Sequence, residues 1–159
     1  MGFAWLPVAV LLSEGGVFII SWGFFLVFLL WSGLVPSASW GWLLLLLVLQ
    51  LFLVYSLGLL LAVCTAFVRD IKEMVSVLLQ LGFWATPIVY VVDILPDWLI
   101  PFMVWNPMFV LVDSYRRVVM LSLAPDFALL LSLFFASLLL CLFAGLLLYR
   151  VEKDLRDVL

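Results

Sequence analysis

The sequence has no histidine and only two cysteines, Cys64 and Cys141, among its 159 residues. The lack of histidine removes the usual general base and the commonest metal ligand. Both cysteines sit inside apolar runs, where a free thiol behaves as a small buried hydrophobe, so neither a disulfide nor a metal pair is expected. Charge is scarce as well. Only 11% of residues are charged, against about 25% in an ordinary soluble domain. There is no basic run and the net charge is −3, which excludes a nucleic-acid binder. The phosphate loop GxxxxGK[ST] is missing, since Gly15-Gly16 has no Lys after it; the chain is therefore not expected to hydrolyse ATP or to bind a cofactor of its own. Missing too are the buried carboxylates of an ion-coupled carrier and the filter motif of a potassium channel.

What fills the sequence is apolar. Hydrophobic residues make up 69% of it, and the mean hydropathy is +1.42. A soluble domain of this size could not hide so much apolar surface, so the chain belongs in a membrane. At roughly 20 residues per spanning helix, the length allows at most about seven spans.

The few charges act as punctuation. No Asp, Glu, Lys or Arg occurs from Gly15 to Val68. A single helix over that run would be about 80 Å long, more than twice a bilayer core, so the chain must turn once. Pro36-Ser37-Ala38-Ser39, flanked by Trp31, Trp40 and Trp42, is the turn signal: proline and serine break the helix and tryptophan favours the headgroup level. Spans are expected over 13–35 and 41–67. After Arg69-Asp70-Ile71-Lys72-Glu73, the uncharged stretch 74–92 makes a third, with a kink or early end at Pro87 because proline leaves the carbonyl four residues back unpaired. A fourth is expected over 127–149, followed by a cytoplasmic tail over 150–159.

Between the third and fourth spans lies 93–126. Its apolar part, Trp98–Val112, is too short to span comfortably and is broken by Pro101 and Asn106-Pro107. Such a stretch reads as a re-entrant or interfacial segment; a loop lying on the surface is the plainer alternative. The fold class expected is thus all-α integral membrane, a single transmembrane domain of about four helices plus this broken segment. Arg69, Lys72, Arg150, Lys153 and Arg156 fall on one side, and Arg116 and Arg117 on the other. The Lys/Arg bias puts the larger group, and both chain ends, in the cytoplasm. The start, Met1–Ser13, lacks the basic region and cleavage site of a signal peptide, so none is expected.

Arg116 and Arg117 are the only basic residues expected outside, and Asp113 can reach either of them along a helix, at i+3 or i+4. One reading is a local ion pair with snorkelling stems. The other is that one guanidinium contacts a lipid phosphate or substrate diphosphate. The elbow Arg69-Asp70 with Lys72-Glu73 either sets topology or meets a cytoplasmic partner. Glu14 sits near a span end, where an interfacial place is expected. Trp84, Tyr90, Trp98, Trp105 and Tyr115 read as an aromatic belt, with a sugar path as the alternative.

Taken in order, these motifs resemble the membrane subunit of type-2 ABC exporters, in the branch that exports lipid-linked polysaccharide, O-antigen or teichoic acid. The resembling residues are Leu57-Gly58-Leu59, Phe67-Val68-Arg69-Asp70-Ile71, Thr86-Pro87-Ile88-Val89-Tyr90, Trp105-Asn106-Pro107-Met108 and Ser114-Tyr115-Arg116. The chain departs from that pattern by an extra Val68 before Arg69 and by Thr86 where the branch has Ser. The resemblance implies a homodimer forming a channel in the bacterial inner membrane, among membrane lipids. A separate cytoplasmic ATPase dimer would hold ATP and Mg, and the substrate would be a lipid-linked glycan. It implies an outer gate or substrate path at Tyr90, Trp105, Asn106, Tyr115 and Arg116, a cytoplasmic elbow at Arg69 and Asp70, and helix kinks at Pro87 and Pro107. Family members have about six spans, and Leu6-Pro7 aligns just before the third, so the N-terminal third of the layout is expected to be missing here. Two other expectations remain open: an exporter of drugs or lipids on the same fold, and a non-transporting membrane scaffold.

Overall fold

The computed structural model describes residues 5–33, 37–68, 70–88, 90, 96 and 98–157. These form an all-α membrane protein with no strand among them. Six helices follow in order: α1 (Trp5–Trp31), α2 (Trp42–Phe67), α3 (Ile71–Ala85), α4 (Ile100–Met103), α5 (Pro107–Met120) and α6 (Phe127–Asp157). A 3₁₀ turn, Ala38–Gly41, leads into α2.

Three stretches among the described residues are long and apolar enough to cross a bilayer: Glu14–Trp31, Ala38–Thr65 and Phe127–Arg150. The sequence suggests a fourth over 74–92, but α3 has 15 residues and ends at Ala85. At 1.5 Å per residue it is about 22 Å long, short of a core of about 30 Å. Residues 89, 91 and 92 of that expected span, like Pro36 in the expected turn and Arg69, lie outside the described residues. The helix stops because Thr86 precedes Pro87, and a residue before proline is pushed out of the helical region; Thr86 is extended, at φ −93° and ψ 130°.

The other boundaries have local causes. α1 ends at Trp31, with Gly33 in the left-handed region at φ 82°, a conformation that only glycine adopts without strain. α6 begins where the Asp126 carboxylate accepts from the backbone N–H of Ala128 at 3.0 Å, an N-cap that satisfies a donor left free by the first turn. At its other end α6 continues past Tyr149 to Asp157, without a break at Arg150.

α2 is the axis of the bundle. It packs parallel to α6, Phe52 against Phe134, along a seam where Ser56, Ser137 and Ala144 are fully buried. Lipid tails are as apolar as leucine, so nothing squeezes these helices together from outside; close approach over small residues supplies dispersion contacts instead. Both hydroxyls bond within their own helix, Ser56 to the Phe52 carbonyl and Ser137 to the Leu133 carbonyl, each at 2.8 Å. They therefore add no unpaired polar group to the seam. α3 folds back beside the far end of α2, where Lys72 and Val75 face Gly58, Leu61 and Thr65 across a shallow cavity.

The segment between α3 and α6 does not lie loosely on a surface. α5 is inserted into the bundle, with Phe109, Val110, Leu111, Val118 and Val119 buried in one core with Leu46, Leu49 and Leu53 of α2, Leu130 and Leu133 of α6, and Leu29 of α1. Its C-terminal end meets the start of α2, where the Ser39 hydroxyl donates to the Val118 carbonyl at 3.5 Å. Its N-terminal end reaches the level of Leu53 and Leu57 of α2 and Ala136 of α6. Leu53 lies about 17 Å along α2 from Trp42, at the helical rise. The corner Trp105-Asn106-Pro107 is therefore held at mid-bundle depth.

The small-residue seam generates a prediction. Replacing Ser137 by Ala should change stability little, because the hydroxyl serves only its own helix. Replacing it by Leu should overfill the seam and cost about 1–3 kcal/mol. Reversible unfolding in mixed micelles checks both.

Candidate functional site

Two helix ends and two prolines meet at mid-bundle depth. The last four carbonyls of α3 have no partner within the helix, and each finds one nearby. The Gly82 carbonyl accepts from the Thr86 N–H at 3.0 Å and the Thr86 hydroxyl at 2.8 Å. The Phe83 carbonyl accepts from the Thr86 N–H at 3.3 Å. The Trp84 and Ala85 carbonyls share the single proton of the Tyr90 hydroxyl, at 3.3 and 3.4 Å.

The start of α5 is built in the same way. Pro107 occupies the first turn, where its missing N–H costs nothing. Asn106 is extended, and its side-chain oxygen accepts from the Met108 N–H at 3.0 Å. Its side-chain nitrogen donates to the Thr86 hydroxyl oxygen, also at 3.0 Å. One asparagine thus caps α5 and ties it to the end of α3.

Arg116 makes the second tie. Its Nη2 donates to the Pro87 carbonyl at 3.1 Å. Asp113, which could have paired with either arginine, binds Arg117 at 2.7 Å, i to i+4, with the Arg117 side chain 42% exposed. That pair is a local surface contact of small worth. Among the described residues, no carboxylate lies within ion-pair distance of Arg116.

Tyr115 makes the third tie. Its hydroxyl donates to Gln50 Oε1 of α2 at 2.9 Å, and its ring meets Trp22 of α1 edge to face at 6.2 Å. Beside these groups a cavity of about 580 Å³ opens between α1, α2 and α5. Phe18, Trp22 and Phe25 form one wall, and Gln50, Tyr115 and Arg116 the polar end.

Of the residues singled out from the sequence, Asn106, Tyr115, Arg116 and Pro87 converge on this region. Pro87 is fully buried, and Pro107 starts α5. Tyr90 closes the end of α3 rather than lining the cavity. Trp105 is 88% exposed and borders a separate, mostly apolar cavity. Asp70 is exposed at the turn into α3, where its carbonyl accepts from the Glu73 and Met74 N–H groups. Glu14 is exposed on α1. Sequence reasoning missed Gln50 and Trp22. Gln50 carried a signal, being the one side-chain amide between Gly15 and Val68; a lone amide inside a spanning run is costly to bury without a partner. Trp22 carried none.

The fold and site define an all-α integral membrane protein with a broken, inserted helix tied to its neighbours by buried polar contacts. Residues 6–120 match the ABC-2 type transporter family, and the chain belongs to that family. It is 28% identical over 116 residues to an O-antigen export system permease protein RfbA of Klebsiella pneumoniae. A second protein of that name and species is 27% identical over 116 residues. Each match covers 72% of this chain and 45% of the relative, so the chain spans about half the length of the curated relatives it matches.

The Tyr115–Gln50 tie can be measured. Tyr115→Phe and Gln50→Leu, alone and combined, should form a double-mutant cycle with a coupling of about 0.6–1.7 kcal/mol, the range of hydrogen bonds between membrane helices. Unfolding in micelles reads it; strictly additive effects would remove the bond from the fold's support.

Proposed function

We propose that this chain forms part of the membrane path of an ATP-driven exporter that moves a lipid-linked polysaccharide outward across the bacterial inner membrane. The observation that carries the reading is the ABC-2 match across residues 6–120, taken with two similar proteins named as O-antigen export permeases. A second copy of the chain completes the channel. A separate ATPase dimer binds ATP and Mg and supplies the work, since this sequence has no phosphate loop.

The end of the bundle where α1 stops and α2 and α6 begin faces outward in this reading, and both chain ends face the cytoplasm. That orientation puts Lys72, Arg150, Lys153 and Arg156 inside, as the Lys/Arg bias favours. It places Asn106, Tyr115 and Arg116 in the outer half, with the inserted α5 narrowing the path. The ATPase closes on ATP, the bundle shifts, and α5 moves with its ties to α2 and α3. Arg116 serves the passing substrate because its guanidinium suits phosphate geometry.

Deletion of the gene tests the reading. Lipid-linked glycan should accumulate inside the cell, and the tagged protein should copurify with an ABC ATPase. Arg116→Ala should insert normally and reduce export at least about tenfold, the loss of one charge-assisted contact, whereas Arg117→Ala should export normally. Unchanged glycan with raised drug sensitivity would favour a drug exporter, and absence of any copurifying ATPase would favour a scaffold; either overturns the proposal.

A further inference from the structure

Gln50, Tyr115 and Arg116 line one cavity between α1, α2 and α5. Tyr115 spends its hydroxyl proton on Gln50 Oε1, and the Gln50 side chain, which lines the cavity, carries two further N–H donors. Arg116 uses Nη2 on the Pro87 carbonyl, and a guanidinium carries five N–H donors in all. Within the cavity lining, these groups are surrounded by the rings of Phe18, Trp22 and Phe25. A positive charge in such a wall calls for an anion rich in acceptors.

The shape narrows the choice. At about 580 Å³ the cavity is far larger than an inorganic anion and within the usual range for an amphiphilic ligand. Its rim includes Phe28 and Met120, each 66% exposed, which continue the apolar outward face of α1. A small free anion would leave these walls uncovered. A ligand with a phosphate at one end and a hydrocarbon chain at the other satisfies both halves: the phosphate oxygens accept from Arg116 and Gln50, and the chain leaves along Phe25 and Phe28 toward lipid.

We propose that this cavity is a binding site for the phosphate of a membrane amphiphile, with Arg116 and Gln50 as its donors. Two sources share this chemistry: a bilayer phospholipid and a polyprenyl-linked substrate. The inference deepens the functional reading at the same residues and rests on it only for the second source. Binding is measured without transport, so failure here leaves the deletion phenotype standing, and the reverse also holds.

The test uses the full chain in nanodiscs and native mass spectrometry of retained lipid, with two matched probe pairs. One pair is phosphatidylglycerol and diacylglycerol; the other is undecaprenyl diphosphate and undecaprenol. The expected result is one retained phosphate-bearing lipid, weakened roughly ten- to a hundredfold by Arg116→Gln, as loss of charge-assisted hydrogen bonds would give, and unaffected by Arg117→Gln. Val112→Phe, which fills the cavity with Arg116 intact, should weaken retention as well and guards against a folding defect in the first variant. Preference for the phosphate in both pairs marks a general lipid-phosphate site. Preference in the polyprenyl pair alone marks a substrate site. Equal retention within both pairs, or a preference that survives Arg116→Gln, overturns the proposal.

Discussion

Backbone groups without partners cannot survive in an apolar interior, and that constraint shapes the centre of this protein. In hydrocarbon each unpaired N–H or C=O costs several kcal/mol. Two prolines break the helical ladder at mid-bundle depth, at Pro87 and Pro107, and the groups they free must be met by other parts of the chain. Thr86 and Tyr90 meet the last carbonyls of α3. Asn106 meets the first donors of α5, and Arg116 meets the Pro87 carbonyl. With Asn106 also bound to Thr86, the break joins two helix ends instead of leaving a gap.

This arrangement explains why a polar helix end can sit deep in so apolar a protein. The core of α2, α5 and α6 is held by dispersion over leucine, valine and small side chains, which fixes distance but discriminates little between registers. The hydrogen bonds at Thr86–Asn106, Pro87–Arg116 and Gln50–Tyr115 are few and directional, so they set the depth of α5. The same residues that hold it in place leave spare donors in the neighbouring cavity. In the proposed reading, support of the broken backbone and recognition of an anion draw on one set of side chains.

Much of this is legible in the sequence. Composition alone required a membrane protein, and the charge-free run ending at Val68 required a turn near residue 36. Asn106-Pro107 read as a break and Pro87 as a kink or an early helix end, because proline chemistry is local; that Asn106 and Pro107 start a helix is seen only in the structure. The extent of α3 was less legible. Hydropathy carries the apolar stretch to Val92, yet the helix itself ends at Ala85, since proline acts on backbone geometry and not on transfer energy. Asp113 could have paired with Arg116 or Arg117, and helical spacing permits both; the structure pairs it with Arg117.

The sequence by itself determined that helices cross a membrane, where they turn, and which residues break them, since burial in lipid and local backbone chemistry depend on neighbours along the chain. Which side chains would meet across the bundle was decided only by tertiary packing. Tyr115 and Gln50 are 65 residues apart, and Arg116 and Pro87 are 29 apart. No periodicity links such positions, because their contact depends on how deeply α5 inserts between α1, α2 and α6. That depth is set by which unpaired groups the fold must satisfy.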